Sequence, residues 1–265
     1  MPTLQIPKKL QQLVTTPKRF KVLIGGRNSA KSTGVSSIMT MRVQTEGVDL
    51  ICLREFQSSI SQSVHKILKN TITRTGAEGF TVLDNKITHG RNEIIFNGMA
   101  RNSAAIKSAE DFKYSWVEEA QTCSQQSLDD LLPTIRKPGS ELWFTANPQS
   151  SEDPFSKRFI TPYLADLERD GMYEDDLHLI VVVNWRDNPW HGGEMEELRL
   201  WDYENRERAE YDHIWEGKFN DSVENSIIKA EWFDAAVDAH VKIGWKARGQ
   251  TSLTNEPSRP GDAKA

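Results

Sequence analysis

Phe20-Lys21-Val22-Leu23-Ile24 runs directly into Gly25-Gly26-Arg27-Asn28-Ser29-Ala30-Lys31-Ser32. The first five residues are apolar but for one lysine, a run of the length and character of a buried strand. From Lys31 to Val43 the apolar residues recur at helical spacing. Strand, glycine-bearing turn and helix together are the setting of a phosphate-binding loop. Backbone N–H groups of such a turn converge on an anion, and the helix N-terminus adds positive potential. Gly25 and Gly26 let the chain turn without a Cβ clash. Lys31 is expected to reach the β- and γ-phosphates of a nucleotide, and the Ser32 hydroxyl to ligate Mg²⁺. The binding set is expected to run on through Thr33. The usual pattern has glycine immediately before the lysine. Ala30 stands there instead, and it fits only if that backbone avoids left-handed dihedrals.

Outward from this loop, short apolar runs alternate with longer amphipathic ones. Asp49–Leu53 reads as a second strand and Ser59 to Leu68 as a second helix. Short β-like pieces follow between Phe80 and Phe96, with turn residues Asp84-Asn85 and His89-Gly90 between them. Tyr114–Val117 is another strand, then Ser124 to Leu132 a helix stopped by Pro133. Leu142–Ala146 and Leu177–Val183 complete the buried-type strands, and Trp232 to Val241 reads as a short helix. This alternation implies βαβ units and a mostly parallel central sheet flanked by helices. The expected domains are a core over residues 1–172, a linker or lid subdomain over 173–230 and a tail over 231–265.

Two further stretches carry chemistry. Tyr114-Ser115-Trp116-Val117-Glu118-Glu119 is an apolar strand ending in two carboxylates, where open α/β sheets place their ligands. Glu118 is placed to hold Mg²⁺ through its water shell, and Glu119 to polarise an attacking water. In Glu141-Leu142-Trp143-Phe144-Thr145-Ala146-Asn147-Pro148 a strand ends in uncharged hydrogen-bonding groups able to sense a γ-phosphate.

Composition narrows the remaining choices. The 265 residues carry a formal charge of −5, yet residues 1–107 hold 16 basic against 6 acidic side chains, and residues 108–265 hold 17 against 32. A basic half suits a polyanionic partner, which the total conceals. No run approaches the roughly 18 apolar residues of a membrane span. Two cysteines support neither a disulfide framework nor a zinc site. The six histidines lack metal-ligand spacing.

In order along the chain, GGRNSAKS (25–32), LREFQSSISQSV (53–64), WVEEA (116–120), TANP (145–148), WRDNPW (185–190) and YDHIWEGKF (211–219) resemble the ATPase half of tailed-bacteriophage terminase large subunits. The resemblance implies a P-loop NTPase fold of the ASCE, RecA-like type with a small C-terminal linker or lid subdomain. It implies an ATP- and Mg²⁺-dependent motor that drives double-stranded DNA into a procapsid. Carried over by position, Lys31 and Ser32 are the Walker A lysine and metal serine, Glu118 the Walker B acid and Glu119 the catalytic glutamate. Thr145, Ala146 and Asn147 form the coupling motif. Arg27 matches a cis arginine finger, for which a trans arginine or Arg54 are the alternatives. Implied partners are the portal protein, the terminase small subunit and further copies in a ring, a pentamer on the procapsid and a monomer in isolation. The implied location is the host cytoplasm, at the portal vertex during packaging and outside the mature virion. The family's nuclease would retain here only a vestigial position at Glu256, so DNA cutting is not expected of this chain. Two other readings fit a phosphate loop: an assembly protein gated by nucleotide without turnover, and a phosphotransferase acting on a small molecule.

Overall fold

The computed structural model describes residues 5–56, 61–100, 106, 109–220 and 236. By its internal contacts the chain divides into two units, Met1–Asp221 and Ser222–Ala265. The first is built on nine strands: β1 (Phe20–Ile24), β2 (Leu50–Arg54), β3 (Phe80–Val82), β4 (Lys86–His89), β5 (Asn92–Gly98), β6 (Tyr114–Glu118), β7 (Glu141–Ala146), β8 (Met172–Glu174) and β9 (His178–Val182). They form one sheet in the order β3-β4-β5-β2-β6-β7-β1-β9-β8. The six strands from β5 to β9 in that order are mutually parallel, while β3, β4 and β8 run antiparallel at the two edges.

The helices are α1 (Gln11–Thr15), α2 (Lys31–Glu46), α3 (Lys66–Thr75), α4 (Gln125–Thr134), α5 (Pro154–Phe159), α6 (Leu164–Asp170), α7 (Glu194–Asn205) and α8 (Arg208–Tyr211). Every residue of β1, β2, β6 and β7 is buried, as parallel strands covered on both faces must be. Alternate residues of one strand feed opposite cores. Leu23 joins Val35, Ile38, Met39 and Val43 of α2, whereas Val22 and Ile24 join Leu128 and Leu131 of α4 and Phe155 and Phe159 of α5.

Lys21 is the charged residue among the buried side chains of β1. Its ammonium is fully buried, 3.0 Å from Glu141 Oε2, 2.7 Å from the Leu13 carbonyl and 4.7 Å from the centre of the Trp143 ring. Burial pushes Lys21 down to about 8 against the pull of Glu141. Replacing it by alanine strands the Glu141 carboxylate without its counter-charge, at a cost of about 3–5 kcal/mol. A urea titration of Lys21→Ala is therefore expected to show a clearly lower midpoint, and an unchanged midpoint refutes this role.

Three sequence expectations need correction. The boundary near residue 172 falls inside the sheet, because β9 pairs with β1 along its whole length and β8 pairs with β9. The Asp166–Asp176 stretch covers most of α6, the turn at Gly171 and β8. The second helix lies over Lys66–Thr75 and is preceded by a π-type turn at Ser61–His65. Finally, α4 carries Pro133 inside its last turn rather than stopping before it. The helix expected over Trp232–Val241 falls, but for residue 236, outside the described residues, as does Glu256.

Candidate functional site

The strand-to-helix turn after β1 is tight and crowded. A Cβ on Gly25 would stand 2.0 Å from the Val183 carbonyl oxygen, and one on Gly26 would stand 2.1 Å from that of Trp215. Only glycine admits both approaches. Asn28 and Ala30 take positive φ angles of 55° and 59°. The expectation that Ala30 avoids the left-handed region is therefore overturned. Closing the turn into α2 demands that dihedral whatever residue occupies it, and alanine carries the strain. Ala30→Gly is expected to stabilise the fold by about 1 kcal/mol, read as a higher melting midpoint. A lower midpoint would count against this account.

Lys31, at the first position of α2, buries its ammonium in the turn. Its Nζ donates to the carbonyls of Gly25 (2.6 Å) and Gly26 (2.8 Å) and to Ser29 Oγ (2.8 Å). Burial lowers Lys31 to about 7, with the nearby Glu118 charge opposing the shift. The Ser32 hydroxyl donates to Glu118 Oε1 at 3.3 Å. Two hard oxygen ligands thus face each other at the N-terminus of α2. That donor set fits Mg²⁺, which takes one or two protein oxygens and keeps much of its water.

Glu118 ends β6 and is buried, and burial raises its pKa against the opposing pull of Arg54, Ser32 and Lys31. Glu119 follows in a left-handed conformation with φ 55°. One guanidinium grips both acids: Arg54 Nε lies 3.0 Å from Glu118 Oε2, and Nη2 pairs with Glu119 Oε2. Arg54 Nη1 donates to Ser63 Oγ at 2.9 Å. Arg54, an alternative arginine finger by sequence, is here the clasp on the two carboxylates.

At the end of β7, the Thr145 hydroxyl oxygen accepts from Trp116 Nε1 (3.0 Å), and the Asn147 N–H donates to Gln121 Oε1 (3.2 Å). One cavity of about 840 Å³ is lined by the loop from Gly26 to Thr33, by Glu118 and Glu119, and by Thr145, Ala146 and Asn147. The sequence-predicted residues of this half therefore meet in one place. Arg27 is exposed at the rim, its backbone N–H bonded to the Ile214 carbonyl at 2.7 Å.

Sequence reasoning misses what encloses the loop from behind. Residues 185–190 and 211–219, expected in a linker or lid, lie against it. Asn184 Oδ1 accepts from Gly26 N (3.3 Å), Asn188 Nδ2 donates to the Asn28 carbonyl (2.8 Å), and His191 Nδ1 sits 2.7 Å from Asn28 Nδ2. His191 passes on to Glu196 of α7 at 2.6 Å. Trp185 donates through Nε1 to Glu216 (3.2 Å), tying the two segments together. Arg74, Gln121, Asn188, Trp190 and His213 all line the cavity. Only the clustered aromatics and Asn-Pro of WRDNPW hint at this in the sequence. Among the described residues no group of three or more His, Cys, Asp or Glu side chains is placed to hold a metal, and no helix is long and apolar enough to cross a membrane.

A family model described as phage terminase large subunit matches residues 17–218. Among solved structures, the chain is similar to the large terminase of a thermophilic bacteriophage, with TM-score 0.60, 16% identity, and coverage of 78% of this chain and 52% of that one. That protein has been solved in complex with ADP and with ATP-gamma-S. The Thermus phage P74-26 large terminase ATPase domain matches with TM-score 0.55 and 12% identity over 76% of this chain and 88% of that one. The N-terminal domain of the DNA packaging ATPase from bacteriophage phi29 matches with TM-score 0.54 and 13% identity, over 65% and 94% respectively. At such identities the likeness is one of fold. The chain spans about half the length of the thermophilic phage's large terminase. No curated protein sequence matches.

Proposed function

Since the chain belongs to the phage terminase large subunit family, we propose that it is an ATP-hydrolysing motor domain coupled to double-stranded DNA translocation into a procapsid. The observation that carries this is the meeting of Lys31, Ser32, Glu118, Glu119 and Asn147 around one cavity at the C-terminal ends of β1, β6 and β7. Lys31 and the N–H groups of residues 26–32 bind the β- and γ-phosphates. Ser32, and Glu118 through water, would hold Mg²⁺, which would supply charge neutralisation at those oxygens. Glu119 accepts a hydrogen bond from a water and aims it in line at the γ-phosphorus. Arg27, extended from the rim, stabilises the charge that develops on the transferred group. Thr145-Ala146-Asn147 reports loss of the γ-phosphate to the rest of the sheet.

The same reading assigns the partners: viral DNA, the portal protein, the terminase small subunit and further copies of the chain, joined in a ring on the procapsid. Phosphate release measured on the 265-residue chain, with and without DNA and procapsids, tests it. Hydrolysis that DNA and procapsids accelerate is expected. Hydrolysis that rises only with a small-molecule acceptor points to a phosphotransferase instead, and nucleotide binding without any turnover points to a gated assembly protein.

A further inference from the structure

The cavity that holds the loop and the carboxylates is lined by Trp190 and Arg74 as well. The Trp190 side chain is exposed for a large aromatic, at 44%, yet its position is fixed. Its backbone N–H donates to Asn188 Oδ1 at 2.9 Å, and Asn188 Nδ2 donates in turn to the Asn28 carbonyl of the phosphate loop at 2.8 Å. Arg74 reaches in from the last turn of α3. Its Nη2 donates to Ser37 Oγ on α2 at 2.9 Å, and its guanidinium carbon lies 5.7 Å from the Trp190 ring centre. The Trp190 backbone is thus tied through Asn188 to the loop, and a planar cation stands beside its ring.

We propose that Trp190, flanked by Arg74, is the platform on which the base of a purine nucleoside triphosphate stacks. The inference rests on the reading of residues 25–32 as the phosphate cradle and adds the determinant of base preference. Telling one purine from another needs hydrogen-bonding groups free to meet the base edge. The side-chain amides of Asn28 and Asn188, which join Trp190 to the loop, are engaged within the protein. Asn28 Nδ2 lies 2.7 Å from His191 Nδ1 and Asn28 Oδ1 3.3 Å from Asn188 Nδ2, while Asn188 Oδ1 accepts from the Trp190 N–H. The platform therefore reads stacking area, which favours purines over pyrimidines and treats adenine and guanine alike. Stacking on an aromatic face is tolerant of base identity because every base has a π-face.

Calorimetric titration of the 265-residue chain with the Mg²⁺ complexes of ATP, GTP, UTP and inorganic tripolyphosphate tests the assignment. The wild type is expected to bind ATP and GTP within about threefold of each other and UTP more weakly. Trp190→Ala should weaken ATP and GTP by about tenfold and leave tripolyphosphate unchanged, while Trp190→Phe recovers most of the loss. An equal loss for tripolyphosphate overturns the proposal, because Trp190 would then act through Asn188 on the loop alone. No loss for ATP overturns it as well, and so does an ATP preference over GTP of about a hundredfold. Unaltered ATP binding in Lys31→Ala would instead remove the phosphate cradle on which the proposal stands.

Discussion

Glu119→Gln is expected to bind ATP as the wild type does and to hydrolyse it at least about a hundredfold more slowly. The substitution is nearly isosteric, and a left-handed backbone at φ 55° strains glutamine and glutamate alike, so the loop after β6 should keep its course. What disappears is the charge and basicity at the one carboxylate that is half exposed to the cavity. Glu118 stays buried between Ser32 and Arg54, so the groups that hold phosphate and metal remain in place. Phosphate release at saturating ATP, set beside nucleotide binding on the same sample, separates the two effects. Wild-type turnover in Glu119→Gln would show that another group orients the water.

Lys31→Ala acts on binding. Its ammonium makes three hydrogen bonds within the turn, to two carbonyls and a hydroxyl, and the proposed mechanism redirects it to phosphate oxygens. Charge-assisted bonds of this kind contribute roughly 1.5–3 kcal/mol, so ATP affinity should fall by about ten- to a hundredfold. A pH signature accompanies the loss. Burial holds Lys31 near 7 in the folded chain, and an anionic triphosphate favours the ammonium form. Binding should therefore take up a proton above about pH 7, and affinity should decline as pH rises further. Calorimetry in buffers of different ionisation enthalpy reads that proton directly, and Lys31→Ala should abolish it.

Stability moves the other way. The unfolded chain keeps a lysine protonated up to its ordinary value near 10.5, whereas the folded chain releases the proton near 7. Between those values the unfolded state binds more protons, so folding stability rises with pH. Lys21, lowered to about 8, adds to the same trend over the upper part of that window. The slope should be shallower in Lys31→Ala but not flat.

Much of this fold is legible in the sequence because the central strands are continuous apolar runs closed off by turn residues. FKVLI, ELWFTA and HLIVV each read as buried without knowledge of their neighbours. Strand order is another matter. Nothing local says that β9 returns to lie beside β1. Lys31, Ser32, Glu118 and Glu119 are identifiable because each stands at a fixed offset from the end of a strand. Arg54 stands out at a strand end too, but its grip on both carboxylates depends on β2 and β6 being adjacent. The segments behind the loop stay hidden for a different reason. On the loop side their contacts fall largely on backbone atoms, the Gly26 and Arg27 N–H groups and the Asn28 carbonyl, and backbone atoms are the same for every residue type. The left-handed Ala30 is likewise set by the closure of the turn and not by any preference of alanine.

Those rearward contacts bear on how the chain matures during synthesis. The loop is translated ahead of the segments that close it: Asn184, which accepts from the Gly26 N–H, lies 158 positions downstream, and the Trp215 and Ile214 carbonyls lie later still. The earliest-made part of the site is thus the last to be set. A nascent chain cannot complete these contacts until the strands of the whole sheet, β9 included, have been translated.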